Sequence, residues 1–185
     1  MTDSTLHPLT VRESTETDVP AITRIYAHWV RFGLASFELD PPDEAEMARR
    51  RNAILAGGFP YLVAVDKDDK ALGYAYAGPY RMRPAYRFAC EDSVYVAADA
   101  TGSGTGRALL DALIKRCEGR GFRLMVAVIG DSGNAPSIGL HVKFGFRQAG
   151  LLPAIGWKHN RWVDSVLMIR PLGAGSASPP TEFTP

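Results

Sequence analysis

Residues 92–115 read DSVYVAADATGSGTGRALLDALIK and form the most informative segment of the chain. A short apolar run at residues 94–96 precedes three alternating glycines, Gly102, Gly104 and Gly106, and an apolar pattern with helical spacing follows them. A glycine turn between a strand and a helix brings backbone N–H groups and a helix N-terminus together around an anion. The pattern therefore predicts a phosphate-binding turn inside a strand-turn-helix unit.

Two familiar phosphate-binding designs fit this turn poorly. A P-loop requires a lysine and a Ser or Thr after its last glycine, whereas Gly106 is followed by Arg107 and Ala108, so a nucleoside triphosphatase is disfavoured. A dinucleotide site has the spacing G-x-G-x-x-G and an acidic residue closing the next strand. The spacing here is G-x-G-x-G, but Asp131 follows the next apolar run and keeps this alternative open.

Composition limits the classes of partner. The chain has 185 residues, of which 46% are hydrophobic, enough for one domain with a buried core. The chain has 21 Lys and Arg and 20 Asp and Glu, so it carries almost no net charge. Its composition therefore does not indicate binding to nucleic acid or to an anionic membrane surface. No run approaches the roughly 18 apolar residues of a membrane span, and the N-terminus lacks a signal-peptide pattern. We therefore expect a soluble, cytoplasmic protein.

The cysteines and histidines do not show the spacing of a metal site. Cys90 and Cys117 lack metal-ligand spacing, and the four histidines are scattered along the chain. Neither cysteine has a recognisable base partner in sequence, so neither is expected to be a nucleophile. The sequence implies no metal and no covalent enzyme intermediate.

Apolar periodicity and capping residues predict secondary structure around this turn. Helices are predicted from Thr17 or Asp18 to Gly33, at 43–55, at 104–120 and from Asn134 to Gly145; strands are predicted at 11–13, 61–65, 71–77, 93–96, 124–129 and 162–172. Residues 49–51, all arginine, are expected on a solvated helix face, and Trp162 is expected in the core or at a dimer contact.

The glycine turn resembles motif A of the GNAT acetyltransferases, Gln/Arg-x-x-Gly-x-Gly/Ala after a strand and opening a helix. Residues 101–106 match this motif except that Thr101 stands where the family usually has Gln or Arg. Residues 134–146, NAPSIGLHVKFGF, resemble the family's next segment, N-x-x-A-x-x-L-Y-x-K-x-G-F, with His141 in the usual tyrosine position.

Four stretches extend the resemblance to the phosphinothricin acetyltransferase-like branch of this family. They are residues 25–47, residues 80–96 ending in EDSVYV, residues 126–146, and GWKHNRWVD at 156–164. The resemblance implies an α+β GNAT fold, with a mixed, largely antiparallel sheet and helices on both faces. It covers most of residues 9–172, which we expect to form one domain between a flexible N-terminus at 1–8 and a disordered tail at 173–185.

The resemblance also implies an activity. Branch members transfer an acetyl group from acetyl-CoA directly to the amino group of a small amino acid or analogue, such as phosphinothricin or methionine sulfoximine. We therefore expect a cytoplasmic homodimeric enzyme with a small-molecule amine substrate. Two alternatives remain, namely acetylation of another small amine such as a polyamine, or a degenerate acetyl-CoA-binding module without catalysis.

By resemblance, acetyl-CoA lies between two splayed central strands. The strand backbone at 94–96 would pair with pantetheine and polarise the thioester carbonyl, and the glycine turn would hold the pyrophosphate. Asn134 also has a purely structural role available as a helix cap. The implied cofactor-binding residues are Val94, Tyr95, Val96, Gly102, Ser103, Gly104, Thr105, Gly106, Arg107, Asn134, Ser137 and Lys143.

The same resemblance implies the catalytic residues. Glu91 would be the general base that deprotonates the amine, with Asp92 as the neighbouring fallback on the opposite face of the strand. His141 would protonate the CoA thiolate or hydrogen-bond to it.

An arginine-rich loop precedes Glu91. Arg81, Arg83 and Arg87 in this loop suit recognition of a substrate carboxylate and disfavour polycations. Tyr86 and Arg87 of this loop are predicted to bind the substrate. Phe37 is the third predicted substrate-binding residue, because residues 36–38 after the first helix match a conspicuous stretch of the resembling family and are expected to close the pocket.

Overall fold

The computed structural model describes residues 9–180, in which seven strands form one sheet. The strands are β1 (Thr10–Glu13), β2 (Tyr61–Val65), β3 (Ala71–Pro79), β4 (Ala89–Val96), β5 (Leu124–Gly130), β6 (Arg147–Lys158) and β7 (Arg161–Pro171). Their order in the sheet is β1-β2-β3-β4-β5-β7-β6. All neighbours are antiparallel except β4 and β5, which are parallel, so the sheet is mixed and largely antiparallel as predicted.

Four α-helices cover the two faces of this sheet. They are α1 (Val19–Phe32), α2 (Glu44–Ala56), α3 (Thr105–Gly119) and α4 (Ala135–Lys143). α1 and α2 pack on a tyrosine-rich core with Tyr61 and Tyr74, whereas α3 packs on the opposite face around Leu109 and Met125, with α4 beside it. The predicted α+β fold with helices on both faces is confirmed.

Local capping chemistry places the helix starts where the sequence indicates them. The Asp43 carboxylate accepts a hydrogen bond from the Glu46 N–H at 2.8 Å at the start of α2. The Asn134 side chain accepts one from the Ser137 N–H at 3.2 Å at the start of α4. Each cap satisfies an N–H that has no partner within its own helix.

The structure differs from the sequence analysis at β6, at Arg51 and in part at Trp162. β6 was not predicted, because nearly all its residues are exposed and no apolar alternation marks it. Arg51 is not on a solvated face, since it is 6% exposed and its Nε donates to Ser14 Oγ at 2.8 Å. Trp162, expected in the core or at a dimer contact, does not lie in the core, because it is 63% exposed and contacts Trp157 edge-on; the dimer contact stays a prediction.

The sequence predicts flexibility for residues 1–8 and 173–185, and the described residues include only part of the second segment. Residues 173–180, part of the predicted tail, receive hydrogen bonds from Arg123, to the carbonyls of Gly175 at 2.8 Å and Ser178 at 2.6 Å. The predicted flexible N-terminus at 1–8 and the last five residues lie outside the described residues. Within 9–180, no helix combines the length and the apolar character that crossing a membrane requires.

The central parallel pair opens partway along its length. β4 and β5 pair from Ala89 opposite Leu124 to Asp92 opposite Ala127. Beyond this point β4 continues to Val96 against β3, while β5 continues to Gly130 against β7. The two strands therefore diverge, and the facing edge of β4 from Ser93 onward has no β5 partner.

Candidate active site

A cavity of about 420 Å³ lies where β4 and β5 diverge. Its walls come from the two strands, the loop at 35–38 after α1, and α4. The sequence-predicted residues that line it are Phe37, Glu91, Val94, Tyr95, Asn134, Ser137 and His141.

Strand alternation assigns these side chains to two faces of the sheet. Tyr95 packs with the tyrosine-rich core under α1, so Glu91 and Ser93 share that face. Cys90 and Val94 pack on the α3 side, which places Asp92 on that side as well. Side chains from both faces of the sheet line the cavity. The cavity therefore passes through the gap between β4 and β5 and joins the face that carries Glu91 to the face that carries Asp92.

Glu91 is a half-buried carboxylate on the α1 side of the cavity. Burial raises its pKa above the ordinary value, the negative charge of Asp92 raises it further, and the positive charge of Arg81 lowers it. A carboxylate with a raised pKa is a better proton acceptor when ionised than an exposed one. The position and the environment of Glu91 suit a general base.

His141 and Asp92 form a buried pair on the other side of the gap. His141 Nε2 lies 3.0 Å from Asp92 Oδ2, and Nδ1 lies 2.8 Å from the Ser137 carbonyl oxygen. Burial disfavours the charged imidazolium, but the hydrogen bond and charge of Asp92 and the Ser137 carbonyl outweigh it and raise the pKa of His141. Both ring nitrogens therefore already have partners.

The glycine turn leads directly into α3 and is open to solvent. Gly102 and Gly104 have φ of 78° and 89°, which glycine adopts without the strain that a side chain would bring. The Ser103 hydroxyl donates to the Ala100 carbonyl at 2.6 Å, so it is engaged within the turn. The first N–H groups of α3 point out of the helix N-terminus, which is suited to a phosphate group. Arg107 in the first turn of α3 is exposed, as is Lys143 at the end of α4.

Two of the predicted substrate residues lie outside the cavity wall. The Arg87 guanidinium stacks over the Phe88 ring at 4.6 Å, and Tyr86 meets Tyr80 edge-on. These local contacts hold both residues within the 80–88 loop. Of the loop arginines, Arg81 is the one whose charge acts on Glu91.

Sequence reasoning missed a polar network behind the 35–38 loop. The Tyr26 hydroxyl lies 2.9 Å from both Ser36 Oγ and Glu38 Oε1, and burial raises the pKa of Tyr26 to about 12. Arg50 pairs with Glu38, and buried Lys158 donates to the Ser36 carbonyl at 2.6 Å. Ser36 and Lys158 both lie in stretches that carry the family resemblance, which was the available signal.

Comparisons with known proteins agree with this architecture. Residues 22–146 match the model of the acetyltransferase (GNAT) family. The chain is 57% identical to a phosphinothricin N-acetyltransferase of Alcaligenes faecalis, over 92% of this chain and 86% of that protein. It is 40% identical to an L-methionine sulfoximine/L-methionine sulfone acetyltransferase of Pseudomonas paraeruginosa, over 85% of this chain and 91% of that protein.

A solved structure gives the same result. A GNAT superfamily phosphinothricin acetyltransferase from Sinorhizobium meliloti, crystallised in complex with acetyl-CoA, superposes with a TM-score of 0.92 at 48% identity, covering 94% of each chain. The divided sheet, the glycine turn and the cavity between β4 and β5 thus define an acetyltransferase fold. The chain belongs to the GNAT family, and the predicted family, fold and enzyme class are confirmed.

Proposed function

We propose that this enzyme transfers the acetyl group of acetyl-CoA to the α-amino group of a small amino acid analogue of the phosphinothricin or methionine sulfoximine type. The names of its relatives support this substrate class. The observation that carries the proposal is the cavity itself, which places the half-buried carboxylate of Glu91 beside the unpaired edge of β4. An amine bound next to Glu91 would therefore meet a thioester held along β4.

The residues of the α3 side fit acetyl-CoA. A Cβ added to Gly102 or Gly104 would meet nothing within 4 Å, so the turn leaves room for a pyrophosphate against the N-terminus of α3. The β4 backbone from Ser93 to Val96, which has no β5 partner, would pair with pantetheine. One of its N–H groups would polarise the thioester carbonyl. Exposed Arg107 and Lys143 would add positive charge near the phosphates.

Glu91 would begin the reaction by accepting a proton from the substrate ammonium group, since only the neutral amine attacks a thioester. The amine nitrogen then bonds to the thioester carbon, and collapse of the adduct breaks the C–S bond. His141 would supply a proton to the departing thiolate. Cys90 and Cys117 are both buried, which supports direct transfer without an acyl-enzyme.

The loop at 80–88 supports an anionic acceptor. The positive charge of Arg81 acts on Glu91 and lowers its pKa, so the same charge would favour the carboxylate of a substrate whose amine lies at Glu91. Tyr86 and Arg87 remain proposed contacts that require the loop to rearrange from its present packing. A polyamine would face this positive charge and is the weaker candidate.

We also propose that the enzyme is a homodimer and that it acts in the cytoplasm. Support for the dimer comes from the outer face of the β6–β7 hairpin, where Ile155, Trp157 and Trp162 are 56%, 54% and 63% exposed. Contiguous exposed apolar groups of this size typically mark a protein interface. A second copy of the chain would cover this hairpin face.

The first test is CoA release from acetyl-CoA, with phosphinothricin, methionine sulfoximine, spermidine and kanamycin offered separately. We expect turnover with the two amino acid analogues and at least about a hundredfold loss in Glu91→Gln, the lower range of general base catalysis. Glu44→Gln, an exposed change in α2, is the matched control. Acetyl-CoA binding without turnover on any amine would instead identify a non-catalytic module, and turnover on spermidine alone would overturn the proposed substrate class.

A further inference from the structure

His141 pairs with a buried carboxylate, Asp92, and the proposed reaction does not by itself explain this pairing. The side chains are 2% and 5% exposed, respectively, and lie 49 residues apart in the chain. The pair links β4 to α4 at the end of the gap where the thioester would lie. The Phe146 ring contacts the imidazole edge-on, with centroids 4.9 Å apart, and shields it further from solvent.

The partners of the ring fix where protons must be. The Ser137 carbonyl can only accept, so Nδ1 at 2.8 Å from it must carry a hydrogen. A neutral imidazole would then present a bare lone pair at Nε2 toward the carboxylate oxygen at 3.0 Å, which would be repulsive. A second proton therefore lies between Nε2 and Oδ2.

The carboxylate depends on this second proton. Among residues 9–180, Asp92 Oδ1 has no hydrogen-bond partner, and Nε2 is the one group that hydrogen-bonds Oδ2. A buried carboxylate with a single partner is stable only if that partner carries a compensating charge or shares its proton. The other charged side chains that line this cavity, Glu38 and Glu91, are carboxylates and cannot compensate Asp92; β5 presents Ala127 and Ile129, β7 presents Ser165, and Lys143 of α4 is exposed.

We propose that Asp92 is the positioning residue that keeps His141 protonated at both ring nitrogens, so that the pair holds the proton that the departing CoA thiolate takes up. This inference rests on the proposed acetyl transfer. Without Asp92, an imidazole with the ordinary pKa of about 6.5 would be mostly neutral at pH 7.5. Asp92 thus supplies the acid form of His141 in the pH range where the amine must also lose its proton.

The protons balance over one turnover. The substrate ammonium group loses two protons: the first passes through Glu91 to solvent before the attack, and the second leaves the nitrogen of the adduct for solvent by the same route. One proton returns from water through His141 to sulfur, so one net proton is released per turnover. When the C–S bond breaks, its electron pair stays on sulfur, and the Nε2 proton leaves its hydrogen bond with Asp92 and moves to sulfur, while Nδ1 remains bonded to the Ser137 carbonyl. The neutral imidazole then faces the Asp92 carboxylate, and this unfavourable contact drives uptake of a proton from water to restore the pair.

The ring protonation can be read without substrates. Nitrogen-15 NMR of the free enzyme at pH 7 should show protons at both nitrogens of His141, with the signals assigned by their loss in His141→Gln. In Asp92→Asn, which keeps the size of the side chain, we expect one protonated and one bare nitrogen. A bare nitrogen in the unaltered enzyme at pH 7 would overturn the proposal.

A double-mutant cycle tests the connection to catalysis. We expect Asp92→Asn to lower kcat by at least about tenfold, part of the gain that general acid catalysis provides, with both KM values changed less than twofold. In a His141→Gln background the same change should have no further effect, because Asp92 acts through the ring. Asp111→Asn, which breaks an exposed pair with Lys115, is the matched control. Independent losses that multiply in the double variant would overturn the positioning role.

The outcomes separate this inference from the proposed function. Normal acetylation of phosphinothricin by Asp92→Asn, with an unchanged pH profile and melting temperature, would overturn the inference and leave the proposed function standing. Absence of turnover by the unaltered enzyme on every amine, together with an Asp92-dependent doubly protonated ring, would overturn the proposed function while supporting the protonation part of the inference.

Discussion

The carboxylate of Glu91 experiences opposing influences from its neighbours. Burial and the charge of Asp92 raise its pKa, and Arg81 lowers it. The group must be ionised to accept a proton from the substrate, so its pKa sets the acidic limb of the activity profile. We therefore expect Arg81→Gln to move the acidic limb of kcat/KM to higher pH.

The measurement is kcat/KM for phosphinothricin against pH, with Arg83→Gln of the same loop as the matched control. Arg81→Gln should also raise KM for the amino acid, because a carboxylate partner is lost. An acidic limb at the same pH in both variants would show that Arg81 does not act on Glu91.

The raised pKa of Glu91 also has a consequence for stability. An acid whose folded-state pKa lies above its unfolded value destabilises the folded protein when ionised, and this penalty disappears as the pH falls below the unfolded value. We expect Glu91→Gln to melt at a higher temperature than the unaltered protein at pH 7, with the gap narrowing as the pH falls through the raised pKa of Glu91 and absent below the ordinary Glu value of 4.5. Calorimetry across this range checks it, and a pH-independent gap would contradict the linkage.

At the scale of elements, the 35–38 loop is held by the far end of β6. Buried Lys158 donates to the Ser36 carbonyl, and burial lowers its pKa. We expect Lys158→Met to raise KM for the amino acid several-fold and to leave KM for acetyl-CoA unchanged, because the loop walls only the α1 side of the cavity. The melting temperature should change little, since the cost of burying an ammonium group is removed together with its hydrogen bond. Lys158→Arg keeps a hydrogen-bond donor and should therefore retain more affinity for the amino acid than Lys158→Met. An equal rise in KM for the amino acid and for acetyl-CoA would contradict the role of Lys158 in holding the loop.

The end of β5 limits where the same loop can lie. A Cβ added to Gly130 would overlap the Leu34 carbonyl, which is backbone and cannot rotate away, whereas a Cβ on Gly139 in α4 would meet nothing within 4 Å. We expect Gly130→Ala to lower both the melting temperature and kcat/KM for the amino acid. Gly139→Ala should stabilise the protein by up to about 1 kcal/mol through helix propensity. Thermal unfolding of both variants tests this, and equal stability would mean that the loop moves freely.

At the scale of the whole molecule, the sequence predicts best what depends on nearby residues. The glycine turn at 102–106, the caps Asp43 and Asn134, and the apolar stripe of α3 each follow from local chemistry. Two contacts join residues that are far apart in the chain, Asp92 with His141 and Arg51 with Ser14. No local sequence pattern predicts either contact. β6 lacks the alternation that marks a half-buried strand because, among residues 9–180, nearly all of its side chains are exposed.

That uncovered strand leads to the prediction for the assembled protein. β6 is an edge strand with an irregular register at 152–156, where Ala154 has a φ of 52° and its N–H bonds the Asp164 carboxylate at 2.9 Å. The bulge leaves Ile155 exposed beside Trp157 and Trp162. Pro153 and the bulge disfavour pairing along the strand edge, so the exposed apolar side chains of the hairpin face are the groups that favour association. We expect the unaltered protein to sediment as a dimer.

A charge within this patch should separate the two copies. Ile155→Lys would bury an unpaired ammonium group in the interface, so we expect a monomer at micromolar concentration. Leu55→Lys, at an exposed leucine on α2 that is 36% exposed, should remain a dimer. The monomeric variant should still bind acetyl-CoA, because β4 and the glycine turn before α3 belong to one chain. Sedimentation and acetyl-CoA titration of both variants decide this, and a dimer that survives Ile155→Lys would place the interface on another face of the molecule.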